Sequence, residues 1–123
     1  MTVEERYALL KADYKDAKNR LLKDERIEKY LRKFIEDPSM RELDKAIAAY
    51  SDDSTPLQDR REAVFTAAHT LKGVAGNLAL TPLFKAASEL VEQMRDRRSD
   101  PSAPLVENLR DVYSEVLSAL AGL

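Results

Sequence analysis

Five prolines, Pro38, Pro56, Pro82, Pro101 and Pro104, cut this chain into stretches whose apolar residues recur every three or four positions. A proline has no N–H to give a helix interior but is tolerated in a first turn, so it marks where helices begin and end. β-Branched runs are few between the prolines, and the periodicity is that of amphipathic helices. With 123 residues, 44% of them hydrophobic, the chain can bury one core and is short for two.

The spacing predicts a short first helix from Val3 to about Lys11, with Tyr7 and Leu10 on one side. Asp13 caps a second, carrying Tyr14, Ala17, Leu21 and Leu22. Asp24 opens a third, whose stripe is Ile27, Tyr30, Leu31, Phe34 and Ile35. The Asp37-Pro38-Ser39 step interrupts it, and Ser39 with Glu42 fits a capping box for a continuation through Leu43, Ala46, Ile47 and Tyr50. After the loop at 51–56, Thr55 as cap and Pro56 as first helical residue start a long helix to about Leu78. Thr81-Pro82 repeats that signal for a helix to about Arg98. A last helix, from about Pro104 to Ala121, buries Leu105, Leu109, Val112, Val116 and Leu120. Short loops between long helices favour antiparallel neighbours. The expected fold is therefore all-α: an up-down antiparallel four-helix bundle over residues 24–121, with short N-terminal helices (1–22) covering one end, all in one domain, 1–123. An all-α solenoid would need an internal repeat, and the chain has none.

Composition narrows the chemistry. Lys and Arg total 20 against 22 Asp and Glu, a net charge of −2. Nucleic acid is a poor fit as partner, because phosphate binding needs a basic excess. Cysteine is absent and histidine occurs once, which removes thiolate metal sites and makes a metal-dependent hydrolase improbable. No stretch approaches 18 consecutive apolar residues, and the N-terminus lacks the order of a secretion signal. The expectation is a cytoplasmic monomer with no membrane partner.

The single histidine, His69, stands in the segment Ala67-Ala68-His69-Thr70-Leu71-Lys72-Gly73-Val74-Ala75-Gly76-Asn77-Leu78, which also holds two of the three glycines. A glycine inside a helix costs about 1 kcal/mol relative to alanine. At 100° per residue, Glu62, Phe65, Lys72, Gly73 and Gly76 share the His69 side, while Val64, Ala67, Leu71, Val74 and Leu78 lie opposite. The apolar side faces the core, which puts His69 near the surface. A lone surface histidine or lysine is ordinarily unremarked filler; a cation at i+3 and glycines at i+4 and i+7 make this one different. An imidazole, with a reference pKa of about 6.5, is available as a neutral nucleophile near pH 7. A lysine one turn away can stabilise phosphoryl charge, and glycines clear the approach of a docking partner.

Ala68-His69-Thr70-Leu71-Lys72-Gly73 followed by Gly76-Asn77-Leu78 resembles the signature of histidine-containing phosphotransfer (HPt) domains of two-component phosphorelays. Tyr30-Leu31-Arg32-Lys33-Phe34, Thr81-Pro82-Leu83 and Ala86-Ala87-Ser88-Glu89-Leu90 resemble the family's neighbouring helices, so the likeness covers most of the chain. It implies that His69 carries the phosphoryl group on Nε2, that Lys72 steadies it, and that Gly73 lets a receiver approach; helical geometry adds Phe65 and Gly76 to the docking face. It implies receiver domains of response regulators and a hybrid or sensor histidine kinase as partners. It implies no cofactor on this chain, Mg²⁺ belonging to the receiver, and a phosphocarrier rather than an enzyme. Two positions depart from the pattern. Val91 stands level with His69 where family members carry Gln or Glu, which leaves Glu92 or Gln93 to reach the imidazole from a slightly rotated helix, with Arg95 one turn beyond. Ala79 replaces the glycine that often ends the His helix. The alternative function is a helical adaptor that binds signalling domains without phosphotransfer. Arg95, Arg97 and Arg98 read as a solvated helix end, and Asp52-Asp53 as a solvated loop.

Overall fold

The computed structural model describes residues 1–123, and every regular element in it is helical. Seven α-helices follow in order: α1 (Val3–Leu9), α2 (Tyr14–Leu21), α3 (Asp24–Ile35), α4 (Ser39–Ala48), α5 (Leu57–Asn77), α6 (Thr81–Gln93) and α7 (Ala103–Ala119), with a 3₁₀ turn at Ala49–Ser51 behind α4. The bundle is the one anticipated. Its centre is α5, which packs on α4 and α6, and α6 packs in turn on α7. The broken pair α3 and α4 closes the ring against α7: Phe34 meets Tyr113 with ring centroids 5.8 Å apart, and Arg110 Nε donates to Asp44 at 2.9 Å.

One core of 26 buried residues draws on every helix. From α5 it takes Val64, Ala68, Leu71 and Ala75, spaced at four, three and four residues. The buried strip is therefore rotated from the one expected. Ala67 lines a groove against α4 and Val74 one against α3, both only half-buried. Alanines at 68 and 75 explain this, because a small side chain lets the flanking helices come close to the α5 backbone.

The N-terminal helices cover the bundle end where α5 turns into α6. Tyr7 is fully buried and its hydroxyl donates to the Leu78 carbonyl at 2.7 Å. The Asp13 N–H donates to the Ala79 carbonyl at 3.1 Å, and Arg6 donates to the Ala119 carbonyl at the end of α7, 3.0 Å away. At that turn the Leu80 N–H bonds Ala75 and the Ala79 N–H bonds Gly76, the paired bonds of a Schellman motif. The motif needs a left-handed residue after the helix, and Ala79 supplies it at φ 52°.

Several helix starts differ from expectation. Asp13 does cap α2, accepting from the Asp16 N–H. Ser39, however, lies inside α4 and forms no capping box with Glu42; Asp37 accepts the Ser39 N–H instead. Thr55 does not cap α5, which begins after Pro56 without a side-chain cap, and Thr81 is the first residue of α6 rather than its cap. In each case the proline gives the position and supplies no acceptor. α6 also ends at Gln93, short of Arg98. The Gln93 amide is committed to the following loop, donating to Ser99 and the Asp100 carbonyl and accepting from the Ser102 N–H at 2.8 Å.

Candidate functional site

His69 lies well inside α5, on the exposed side of the helix. Its position follows from the core strip: burying Ala68 and Leu71 turns residue 69 outward. No protein group hydrogen-bonds the imidazole. Its neighbour is Phe65, one turn earlier, with ring centroids 6.0 Å apart and planes tilted by 38°.

The residues expected to reach His69 from α6 do not do so. Val91 is fully buried and belongs to the core. Glu92 is exposed and pairs with Arg95, whose guanidinium holds the Glu92 carboxyl below the usual range; the charge of Lys72 adds to that effect. Gln93 is spent on its loop. The α6 face level with His69 is apolar where it touches α5 and charged only outside that contact.

The two glycines of the His69 side serve different ends. A Cβ on Gly73 would meet nothing within 4 Å, so the surface beside the imidazole is open. A Cβ on Gly76 would come within 3.1 Å of the Phe84 ring. The space at Gly76 is taken by this chain's own aromatic, not left free. Phe84 itself is 38% exposed, and Lys72 Nζ stands 5.7 Å from its ring centroid. The ammonium expected to steady a phosphoryl group is thus held over an aromatic face within electrostatic reach of Glu92.

On the other side of His69, Phe65 is only half-exposed because the Arg97 guanidinium lies over its ring, 3.5 Å from the centroid. Glu62, one turn before Phe65, accepts from Arg97 Nε at 2.9 Å. Arg97 is not the solvated helix end it resembles in sequence. It sits beyond α6 in a left-handed conformation, φ 54°, and its carbonyl accepts from Arg61. Glu62 and Phe65 are visible from helical spacing, but a partner after the end of another helix leaves no periodic signal. Phe84 was equally hidden, since only contact with Gly76 distinguishes it from a core residue of α6.

His69 is thus presented on the outer face of the helical bundle, with Lys72 and the open Gly73 one turn on. No cluster of three or more His, Cys, Asp or Glu residues gathers anywhere to hold a metal. The sequence model of the Hpt domain family matches residues 26–119, and the chain belongs to that family. Hpt domains are histidine phosphotransfer modules of two-component phosphorelays, acting with receiver domains and histidine kinases. No curated protein and no solved structure matches the chain. No helix is long and apolar enough to cross a membrane.

Proposed function

We propose that this protein is a cytoplasmic, monomeric phosphocarrier that relays a phosphoryl group between aspartates of receiver domains through His69. The supporting observation is the exposed imidazole beside the unobstructed Gly73. In the forward step the Nε2 lone pair of neutral His69 attacks the phosphorus of a receiver's aspartyl phosphate. A P–N bond forms as the acyl P–O bond breaks, the electron pair leaves with the receiver's carboxylate, and Nδ1 keeps its proton. Transfer to a second receiver reverses the sequence. Such transfer is mainly positioning and electrostatics. Lys72 supplies a cation one helical turn from the nucleophile, and the receiver supplies Mg²⁺. A hybrid or sensor histidine kinase stands upstream. Gly73 leaves clearance for the receiver, Phe65 and Phe84 flank the approach, and Gly76 contributes by seating Phe84.

Incubation with a receiver domain pre-phosphorylated by acetyl phosphate should give this protein an acid-labile, base-stable label, and His69→Gln should give none. Equal labelling of the two proteins contradicts the reading. The alternative is an adaptor that binds without chemistry. In that case a receiver binds both proteins and labels neither.

A further inference from the structure

If no hydrogen bond orients the His69 ring, something else must, since productive attack needs the reacting nitrogen held in line. The observed contacts form a chain. Glu62 accepts from Arg97 at 2.9 Å, the Arg97 guanidinium covers one face of Phe65 at 3.5 Å, and Phe65 packs on His69 at 6.0 Å between centroids. Glu62, Phe65 and His69 come from one side of α5, and Arg97 reaches them from beyond the end of α6. Its left-handed backbone is an uncommon state for a non-glycine residue and persists only where surrounding contacts hold it. Here those contacts are the bond to Glu62, the stack on Phe65, and the Arg61 donor on its carbonyl. A planar guanidinium suits this arrangement in a way an ammonium does not, because it can stack on a ring and bond a carboxylate at once.

We propose that Arg97 and Phe65 are positioning residues that fix the His69 imidazole through a tilted aromatic contact with Phe65, itself covered by Arg97, in place of a hydrogen bond from α6. Phe65 is a shelf against which the ring rests, and Arg97, pinned by Glu62, keeps the shelf from turning. The role of the ring in transfer rests on the phosphocarrier reading above; the holding of the ring does not.

The intact chain is tested in two ways. NMR side-chain couplings and relaxation report the rotamer populations and order of His69, and phosphoramidate, a small phosphoryl donor, reports its labelling rate without any partner. Phe65→Leu and Arg97→Ala should each spread the His69 rotamers and slow labelling about tenfold, less than the roughly hundredfold that a 1 Å misplacement of a reacting group can cost. Phe65→Tyr, which keeps the ring, should restore both. Arg97→Lys keeps the charge and loses the planar stack, so its His69 ring should be as mobile as in Arg97→Ala. Unchanged rotamers and labelling in Phe65→Leu and Arg97→Ala would overturn the proposal, as would wild-type order in Arg97→Lys. If wild type itself takes no label at His69, the phosphocarrier reading fails while the NMR arm still decides whether the stack holds the ring.

Discussion

The two glycines beside His69 predict opposite balances of stability and function. Gly73 sits in a helix interior with open space at its Cβ, so Gly73→Ala should stabilise the fold by about 0.5–1 kcal/mol. Thermal unfolding should show a Tm raised by a few degrees. The same substitution should slow transfer from a phosphorylated receiver, and Gly73→Leu should slow it further with the fold intact. An unchanged transfer rate in Gly73→Leu would remove Gly73 from the docking face. At Gly76 the new methyl meets Phe84, so Gly76→Ala should gain less stability than Gly73→Ala and displace the ring beside Lys72. The sequence carried the His69–Lys72–Gly73 spacing in full, because residues on one helix turn are fixed by helical geometry alone. It could not separate the roles of the glycines, since that depends on Phe84 arriving from another helix. The contacts of Arg97 with Phe65 and Glu62 leave no mark in the sequence for the same reason.

Among the elements, α5 bears the site, and its C-terminal turn depends on two residues outside the usual choice. Ala79 holds φ 52° where glycine is free of strain. A β-branched residue is much worse there, and Ala79→Val should lower stability by about 2 kcal/mol, read by denaturant unfolding. Tyr7 satisfies the Leu78 carbonyl at the same turn. Tyr7→Phe should cost about 1 kcal/mol near neutral pH. Burial pushes the Tyr7 hydroxyl well above its ordinary 10.0. The unfolded chain therefore loses this proton first as pH rises. The stability linked to it is complete below about pH 10 and declines above that value. Alkaline titration of unfolding should show a steeper loss in wild type than in Tyr7→Phe. Equal slopes would mean that Tyr7 is not the group responsible. The proline steps marked where these helices start, and the periodicity gave their buried sides to within one position. Their caps were less legible because Pro38, Pro56 and Pro82 set the boundary by steric exclusion, leaving nearby Ser and Thr without the role they usually take.

In the whole molecule, the bundle is closed by rings more than by charges. Phe34 is 2% exposed against Tyr113, whereas the Arg110–Asp44 pair beside it is about half exposed. Phe34→Ala should cost about 3–5 kcal/mol, as buried aromatic truncations do. Arg110→Ala should stay within about 0.5 kcal/mol, because an exposed ion pair is screened by water and salt. Chemical denaturation of both variants separates these expectations, and a comparable loss in Arg110→Ala would contradict them. The architecture was readable from the sequence because helix lengths and short connections leave few alternatives to an antiparallel bundle. Residues 1–22 lie over one end, where Tyr7 and Asp13 make the contacts that hold them. The bundle leaves His69 on the outer side of its central helix, where a second protein can reach it. Whether phosphorus is bonded there is decided by ³¹P NMR of the protein, ¹⁵N-labelled in histidine, after exposure to a phosphorylated receiver. The account predicts one phosphoramidate signal coupled to Nε2 of His69 and absent from His69→Gln; a phosphoryl signal that persists in His69→Gln would contradict it.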